Sequence, residues 1–348
     1  MASIIREVEK PSFRDLFGFA KRQPLEHSET RGKDILSQIQ TVGSGKGALT
    51  IVLKYLCERG IIKNKLDEIM VPDWLGSWVY NQMNSSVFPS KRFSKRTKIL
   101  LVYHQYGFPQ NMDKILAFAR KKKLIVVEDC AHALESYYKN RRLGTFGDYA
   151  LFSFSKWFFC FALGGVKGKP ADFKAFVSKE LSKVPFGVTF VKDLAKLVSD
   201  LGVFSRSEKF RTFSNLFLKM SYSIYGDALK PSRLAQKLFK SKLESEIDIR
   251  KKRYQYFRKE TDHLGICEHL ERDGVTPYVI PIRVSDNKAE RMVDALRRKG
   301  IETGVYQFDI NRNVLSPRFV PCIWVPCHSG ISDGEFERIT RIILKTYA

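Results

Sequence analysis

Apolar residues in this chain gather in short runs that stop abruptly at polar or charged side chains. Leu124-Ile125-Val126-Val127 ends at Glu128-Asp129, Tyr149 to Phe154 ends at Ser155-Lys156, and Lys98 to Tyr103 ends at His104-Gln105. Runs of this length, bounded by polar turns, read as buried strands. Between the first two landmarks in chain order, Asp113 to Lys122 has helical spacing, so strand, helix and strand follow one another as a parallel βαβ unit. Amphipathic helices are predicted over ALTIVLKYLCERG, DFKAFVSKEL, FVKDLAKLVSDL and FRTFSNLFLKMSYSIY, and one long helix from Lys242. The very apolar WFFCFALGGV reads as a buried strand. At the end, Pro277–Val284 is a strand, Asp286–Lys299 a helix and Gly300–Tyr306 a turn and strand, and Ser332 with Glu335 forms a capping box for the last helix. The pattern predicts an α/β protein. A large domain over 1–243 includes a basic helical segment at 168–243, and a linking helix and small C-terminal α+β domain occupy 244–348.

The chemistry sits where the strands end. In open parallel sheets ligands bind at the carboxyl ends of the strands. One such end offers Asp129 and another Lys156. A lysine can hold pyridoxal phosphate covalently, and an acid can keep its pyridine nitrogen protonated so that the ring accepts electrons. Taken singly, Asp129 could be a helix cap and Lys156 the polar end of a strand. Upstream, Gly43-Ser44-Gly45-Lys46-Gly47 opens a helix. It is not a nucleotide P-loop, because Gln40 stands where that motif needs its first glycine and Gly47 where it needs Ser or Thr. A glycine-rich turn at a helix N-terminus still presents free N–H groups and a positive dipole end to a phosphate.

Charge adds a question. The 348 residues carry a net +23, an excess that attracts nucleotide diphosphates, anionic lipid or nucleic acid. No zinc-finger spacing, aromatic RNA-binding strand or basic zipper accompanies it, so nucleic acid is not expected as a partner. The basic amphipathic helices of 168–243 could lie against an anionic membrane surface. No run is apolar enough to span a bilayer, and the N-terminus has no signal-peptide core. Six scattered cysteines fit reduced thiols in a cytoplasmic protein. Cys322, Cys327 and His328 have no second ligand pair, so no metal is expected.

The stretch EDCAHALES, with Arg142, Gly144, Thr145, Phe146, Gly147, Asp148 and Tyr149, then FSF, Lys156 and Gly164-Gly165, resembles the DegT/DnrJ/EryC1/StrS family of sugar aminotransferases. The resemblance implies the pyridoxal phosphate-dependent transferase fold of type I. It assigns Asp129 to the pyridine nitrogen, His132 (usually Gln) to the phenolic oxygen, Ser153 to the phosphate and Lys156 to the covalent link. It also implies that Gly45, Lys46 and Gly47 grip the phosphate, and that Trp74 or Trp78 stacks on the ring. His104, Arg233, Tyr306 and His328 are weaker candidates that structural roles would serve as well. The chain departs from the pattern in two places: Ala162-Leu163 replaces the usual Gly-Glu before the glycine pair, and the strand after Met83 is shortened or rebuilt. The activity implied is transfer of an amino group, glutamate being the expected donor, to a nucleotide-linked keto-sugar, in a homodimer. Sugar dehydration on the same fold and a non-catalytic basic binding protein are the alternatives.

Overall fold

The computed structural model describes residues 5–9, 11, 37–201, 224–227 and 229–347. Strand β1 (Gln40–Val42) turns directly into α1 (Gly45–Glu58), followed by β2 (Glu68–Met70), α2 (Ser77–Met83) and the short β3 (Phe88–Ser90). The expected βαβ unit is β4 (Thr97–Tyr103), α3 (Met112–Lys122) and β5 (Ile125–Asp129). A hairpin of β6 (Tyr137–Tyr138) and β7 (Arg141–Arg142) turns on Lys139 and Asn140, both at positive φ. Then come β8 (Tyr149–Phe152), β9 (Gly164–Gly168), α4 (Phe173–Ser182) and α5 (Phe186–Leu201). A long helix, α6 (Arg233–Thr261), leads into β10 (Val279–Arg283), α7 (Asp286–Arg298), β11 (Val305–Asp309), β12 (Phe319–Pro326) and α8 (Asp333–Tyr347).

Seven strands form one sheet in the order β1-β9-β8-β5-β4-β2-β3. From β8 to β3 every pairing is parallel, and β9 runs antiparallel to both its neighbours, which gives the mostly parallel α/β sheet expected. Because successive side chains of a strand point to opposite faces, the unbroken apolar run of β4 must be covered on both sides. Leu100 and Val102 join the core with α3 and α6, while Ile99 and Leu101 join the core with α1 and α4. The small antiparallel sheet, β10-β12-β11, packs with α7, α8 and the Tyr254 and Phe257 side chains of α6 in a third core.

Two elements differ from expectation. Helix α6 starts at Arg233, capped by the Ser232 hydroxyl, and runs through the 243/244 position where a boundary is expected; the helix itself, not a loop, carries Arg233. Residues 157–163 are buried but not a strand; the strand begins only at Gly164. Side chains take the carbonyls that a sheet would have taken: Arg250 donates to Trp157 O and Lys192 to Ala162 O. The helix expected over 210–225 falls, except for its last two residues, outside the described residues. The shortened segment after Met83 is β3, a three-residue edge strand parallel to β2. The capping box is present, with the Ser332 N–H donating to Glu335 Oε2 and the Glu335 N–H to Ser332 Oγ. Among the described residues no helix is long and apolar enough to cross a membrane. All six cysteines are free thiols, and only Cys57 is exposed.

Candidate active site

Strand register brings the chemical residues to one rim. Tyr103 of β4 pairs with Asp129 of β5, and Asp129 pairs with Leu151 of β8, so Ser153 lies just beyond the same edge. A single 3-10 turn, Phe154–Lys156, then carries Lys156 back over the strand ends. Its Nζ lies 2.9 Å from His132 Nε2, and His132 Nδ1 lies 2.6 Å from Tyr103 Oη. When the lysine amine donates, Nε2 accepts, and the imidazole proton sits on Nδ1 facing the tyrosine. The His132 ring stacks on Tyr278 at 4.1 Å between centroids, with Tyr106 near-parallel at 5.8 Å. Burial, with the Lys156 and Arg250 charges, holds the imidazole well below the usual histidine range, so it is neutral. Burial likewise keeps the Tyr103 phenol protonated.

Asp129 is buried and its carboxyl is pushed up by desolvation, against which the Ala131 N–H and the Lys156 charge pull down. Oδ1 accepts the Ala131 N–H at 2.9 Å, and among the described residues no donor reaches Oδ2. Asp129, Ser153 and Lys156 line one cavity of about 1020 Å³ together with Gly45 and Lys46.

The far wall is the N-terminus of α1. The Ser44 hydroxyl accepts the Gly47 N–H at 2.9 Å and donates to Tyr225 O at 2.5 Å. Gly45 has no room for a side chain: a Cβ there would sit 2.7 Å from Ser153 Cβ. Gly164 is as constrained, its Cβ position being 2.3 Å from the Ser44 carbonyl carbon. These two close approaches press the turn, Ser153 and the glycine-pair strand together. Lys46 has its ammonium 4.8 Å over the Trp78 ring, and burial with the nearby Lys156 charge lowers its pKa to about 8. Beneath the turn, the wholly buried Lys192 donates to Gly43 O, Ala162 O and Lys230 O at 3.2, 2.9 and 3.2 Å.

The structure therefore brings Asp129, His132, Ser153, Lys156, Gly45 and Lys46 together. Gly47 is a correction: its N–H is spent on the Ser44 cap, which takes it out of the phosphate-facing set. Trp74 stands in the cavity wall, more than half exposed and edge-on to Phe319. His104 is structural; its Nδ1 accepts the Gln110 N–H and its Nε2 donates to Glu128 Oε2 at 3.2 Å. His328 bonds Arg6 O and the Gly330 N–H, whereas Tyr306 reaches the cavity.

Three contributors have roles that no motif assigned. Glu128, the first acid of the pair, also accepts the N–H groups of Gly144, Phe146 and Gly147 at 2.9, 2.7 and 2.7 Å. With both oxygens so used, its proximity to His104 and Cys130 makes no metal centre. Arg250 donates to Trp157 O, next to Lys156, and to Tyr278 O, under the ring that stacks on His132, and it pairs with Glu246. Glu7 reaches the cavity, and burial together with its nearby charge raises the Tyr278 phenol well above its ordinary value. Only the uninterrupted acid pair at 128–129 carried any signal, because the partners of the other two are far away in sequence.

A family model matches residues 90–166, the stretch that supplies β4, β5, β8 and Lys156. It is the DegT/DnrJ/EryC1/StrS aminotransferase family. The resemblance read from the motifs thus holds over this stretch. GDP-perosamine synthase of Escherichia coli O157:H7 is 34% identical over 114 residues, 32% of this chain and 30% of that protein. The dTDP-3-amino-3,4,6-trideoxy-alpha-D-glucose transaminase of Streptomyces venezuelae is 32% identical over 151 residues, 37% of this chain and 38% of that protein. The matched stretches thus span 30% and 38% of these two proteins. The fold likeness is far more extensive. PseC of Helicobacter pylori, an aminotransferase involved in the biosynthesis of pseudoaminic acid, superimposes with TM-score 0.62 at 15% identity, covering 97% of this chain and 92% of that one. AtS13 of Actinomadura melliaura gives TM-score 0.62 at 16% identity, covering 99% of both chains. The overall architecture is therefore that of these two structures, the type I fold expected.

Proposed function

We propose that the chain is a pyridoxal phosphate-dependent aminotransferase that moves an amino group from an amino acid, glutamate by preference, to a nucleotide-linked keto-sugar used in glycan or glycoside biosynthesis. The observation that carries this reading is Asp129: a buried carboxylate with one oxygen tied to Ala131 and the other without a donor among the described residues, lining the same cavity as Lys156. A buried charge left half-paired is costly, and a protonated ring nitrogen is the donor that would complete it. The phosphate end fits as well: Gly45, Lys46 and Ser153 form a cradle at a helix N-terminus, tight enough that Gly45 tolerates no Cβ.

In this reading Lys156 holds the cofactor and Asp129 keeps its ring nitrogen protonated. The Lys46 ammonium, the Ser153 hydroxyl and the α1 terminus hold its phosphate. When bound, the cofactor supplies an aldehyde for amine exchange and a ring that accepts electrons. The Lys156 amine would be the group that carries a proton in each half of a ping-pong reaction. His132, neutral and oriented by Tyr103 and Tyr278, is set beside the Lys156 amine to accept its hydrogen bond and tune the phenolic oxygen. A homodimer, a cytoplasmic location and contact with an anionic membrane surface belong to the same reading; the six free thiols are consistent with a reducing compartment.

An absorbance titration tests it. Pyridoxal phosphate added to the protein should give a band at about 420 nm that is absent in Lys156→Ala, and glutamate should convert it to one at about 330 nm. A protein that stays colourless is a binding protein on this scaffold, and the proposal fails. A band that glutamate leaves unchanged while a nucleotide sugar is dehydrated favours the dehydratase.

A further inference from the structure

The cavity occupies the carboxyl ends of the parallel strands, and the opposite ends carry a different chemistry. Strands β3, β2, β4 and β5 lie side by side and parallel, so the segments leading into them share one edge. Lys63, Lys65 and Leu66 precede β2, Phe88 begins β3, four cations and Phe93 fill the loop 91–96 before β4, Lys98 stands second in β4, and four cations lie at 120–123 at the end of α3. These segments touch. The Phe93 ring meets Phe118 of α3 edge-on at 5.6 Å, Lys122 Nζ lies 4.9 Å over Phe93, the Glu68 N–H donates to Arg96 O, and the Phe88 N–H donates to Asp67 O.

The acids of this edge are turned to internal duties. Asp67 is buried and accepts the Lys63 N–H at 2.7 Å, and Glu68 accepts the Ser94 and Thr97 hydroxyls at 2.6 and 3.2 Å. Among the described residues none of the eleven cations enters a salt bridge. Between them stand three apolar side chains in water: Leu66 at 62%, Phe88 at 55% and Phe93 at 38% exposure. Helix-dipole stabilisation accounts for cations in the last turn of α3. It accounts neither for the other seven nor for the protruding leucine and phenylalanines.

We propose that this amino edge of the large sheet docks on an anionic lipid bilayer, its lysines and arginines on the headgroups and Leu66, Phe88 and Phe93 in the acyl boundary. Charge complementarity selects an anionic partner. The bare apolar side chains favour a bilayer over a nucleic acid, because a leucine and two phenylalanines gain from hydrocarbon what a phosphate backbone cannot give. The placement leaves the cavity mouth, at the other end of the strands, open to substrate. The surface goes beyond the proposed chemistry and depends on no step of it.

Sedimentation of the full-length protein with vesicles decides the matter. It should pellet with phosphatidylcholine vesicles containing about 30% phosphatidylserine and not with phosphatidylcholine alone, and release as salt rises and shortens the Debye length below about 10 Å. The variant K91E/R92E/K95E/R96E should bind at least about 100-fold more weakly, each cation near such a surface contributing roughly fivefold. The variant L66S/F88S/F93S should bind at least about tenfold more weakly with all its charges in place. Unaltered circular dichroism and the 420 nm band, where the wild type has one, show that both variants fold. Vesicle binding by L66S/F88S/F93S equal to wild type overturns the proposal, as does tighter binding of the wild type to duplex RNA or DNA than to vesicles at the same ionic strength.

Discussion

Replacing Glu128 by glutamine should unfasten the loop that sits under the cavity floor. The carboxylate is wholly buried and receives four donors: Phe146 and Gly147 N–H on Oε1, Gly144 N–H and His104 Nε2 on Oε2. A glutamine oxygen can keep the first two as neutral bonds. Its NH2 group then faces two donors where an acceptor stood. His104 cannot change tautomer to help, because its Nδ1 already accepts the Gln110 N–H. Two buried donors stranded at about 1–3 kcal/mol each, with two charge-assisted bonds weakened, give a loss of about 3–5 kcal/mol, a large part of the usual 5–15 kcal/mol stability of about one domain. Urea unfolding at pH 7 measures the loss. Hydrogen exchange of the 141–148 peptide locates it, with the Gly144 amide exchanging first. The pH dependence has a definite sign. The four donors, His104 foremost, hold the Glu128 carboxyl below its ordinary value against the effect of burial. Its contribution is therefore present above about pH 4.5 and lost as pH falls through the lower folded value, a loss the variant should not show. A glutamine variant within about 1 kcal/mol of wild type would refute the argument that these bonds carry the loop.

Three further outcomes follow from the site. Pyridoxal phosphate affinity should fall by up to about tenfold per pH unit above the Lys46 pKa of about 8, where the free protein loses that ammonium, and Lys46→Gln should flatten the profile in titrations from pH 7 to about 10. Asp129→Asn should stabilise the cofactor-free protein at neutral pH by on the order of 1 kcal/mol, because burial raises the carboxyl and ionisation is then a cost that begins above the unfolded value; turnover should fall by about 100-fold or more. Thermal melting and steady-state rates check the two halves separately. Arg250→Met should cost about 3–5 kcal/mol by stranding Glu246, and the double variant R250M/E246L should recover part of it, as urea midpoints of the single and double variants would show.

The fold was legible where apolar runs met polar ends. Positions 98–103 and 124–129 announced their strands because both faces are buried, and the spacing between them forced a parallel pair. Asp129 and Lys156 were legible for the same reason, each standing where an apolar run ends, whereas Ser153 was legible only through the family resemblance. The stretch at 157–163 misled, since seven buried apolar residues look like a strand whatever holds their carbonyls; here Arg250 and Lys192 do so from other helices. The Ser44 cap on the Gly47 amide was equally hidden. A glycine turn at a helix start promises free N–H groups, and only the orientation of one hydroxyl decides which remain free.

Lys192 imposes a constraint of its own. Since one ammonium is shared by the backbone at 43, 162 and 230, the three connections meeting there cannot change length independently. An inserted or deleted residue in any of them would drag a carbonyl away and leave a cation short of partners in the interior. Sequence drift that remodels the cavity will therefore accumulate at its other rims, around Trp74 and Tyr306, while the connections at this junction keep their lengths.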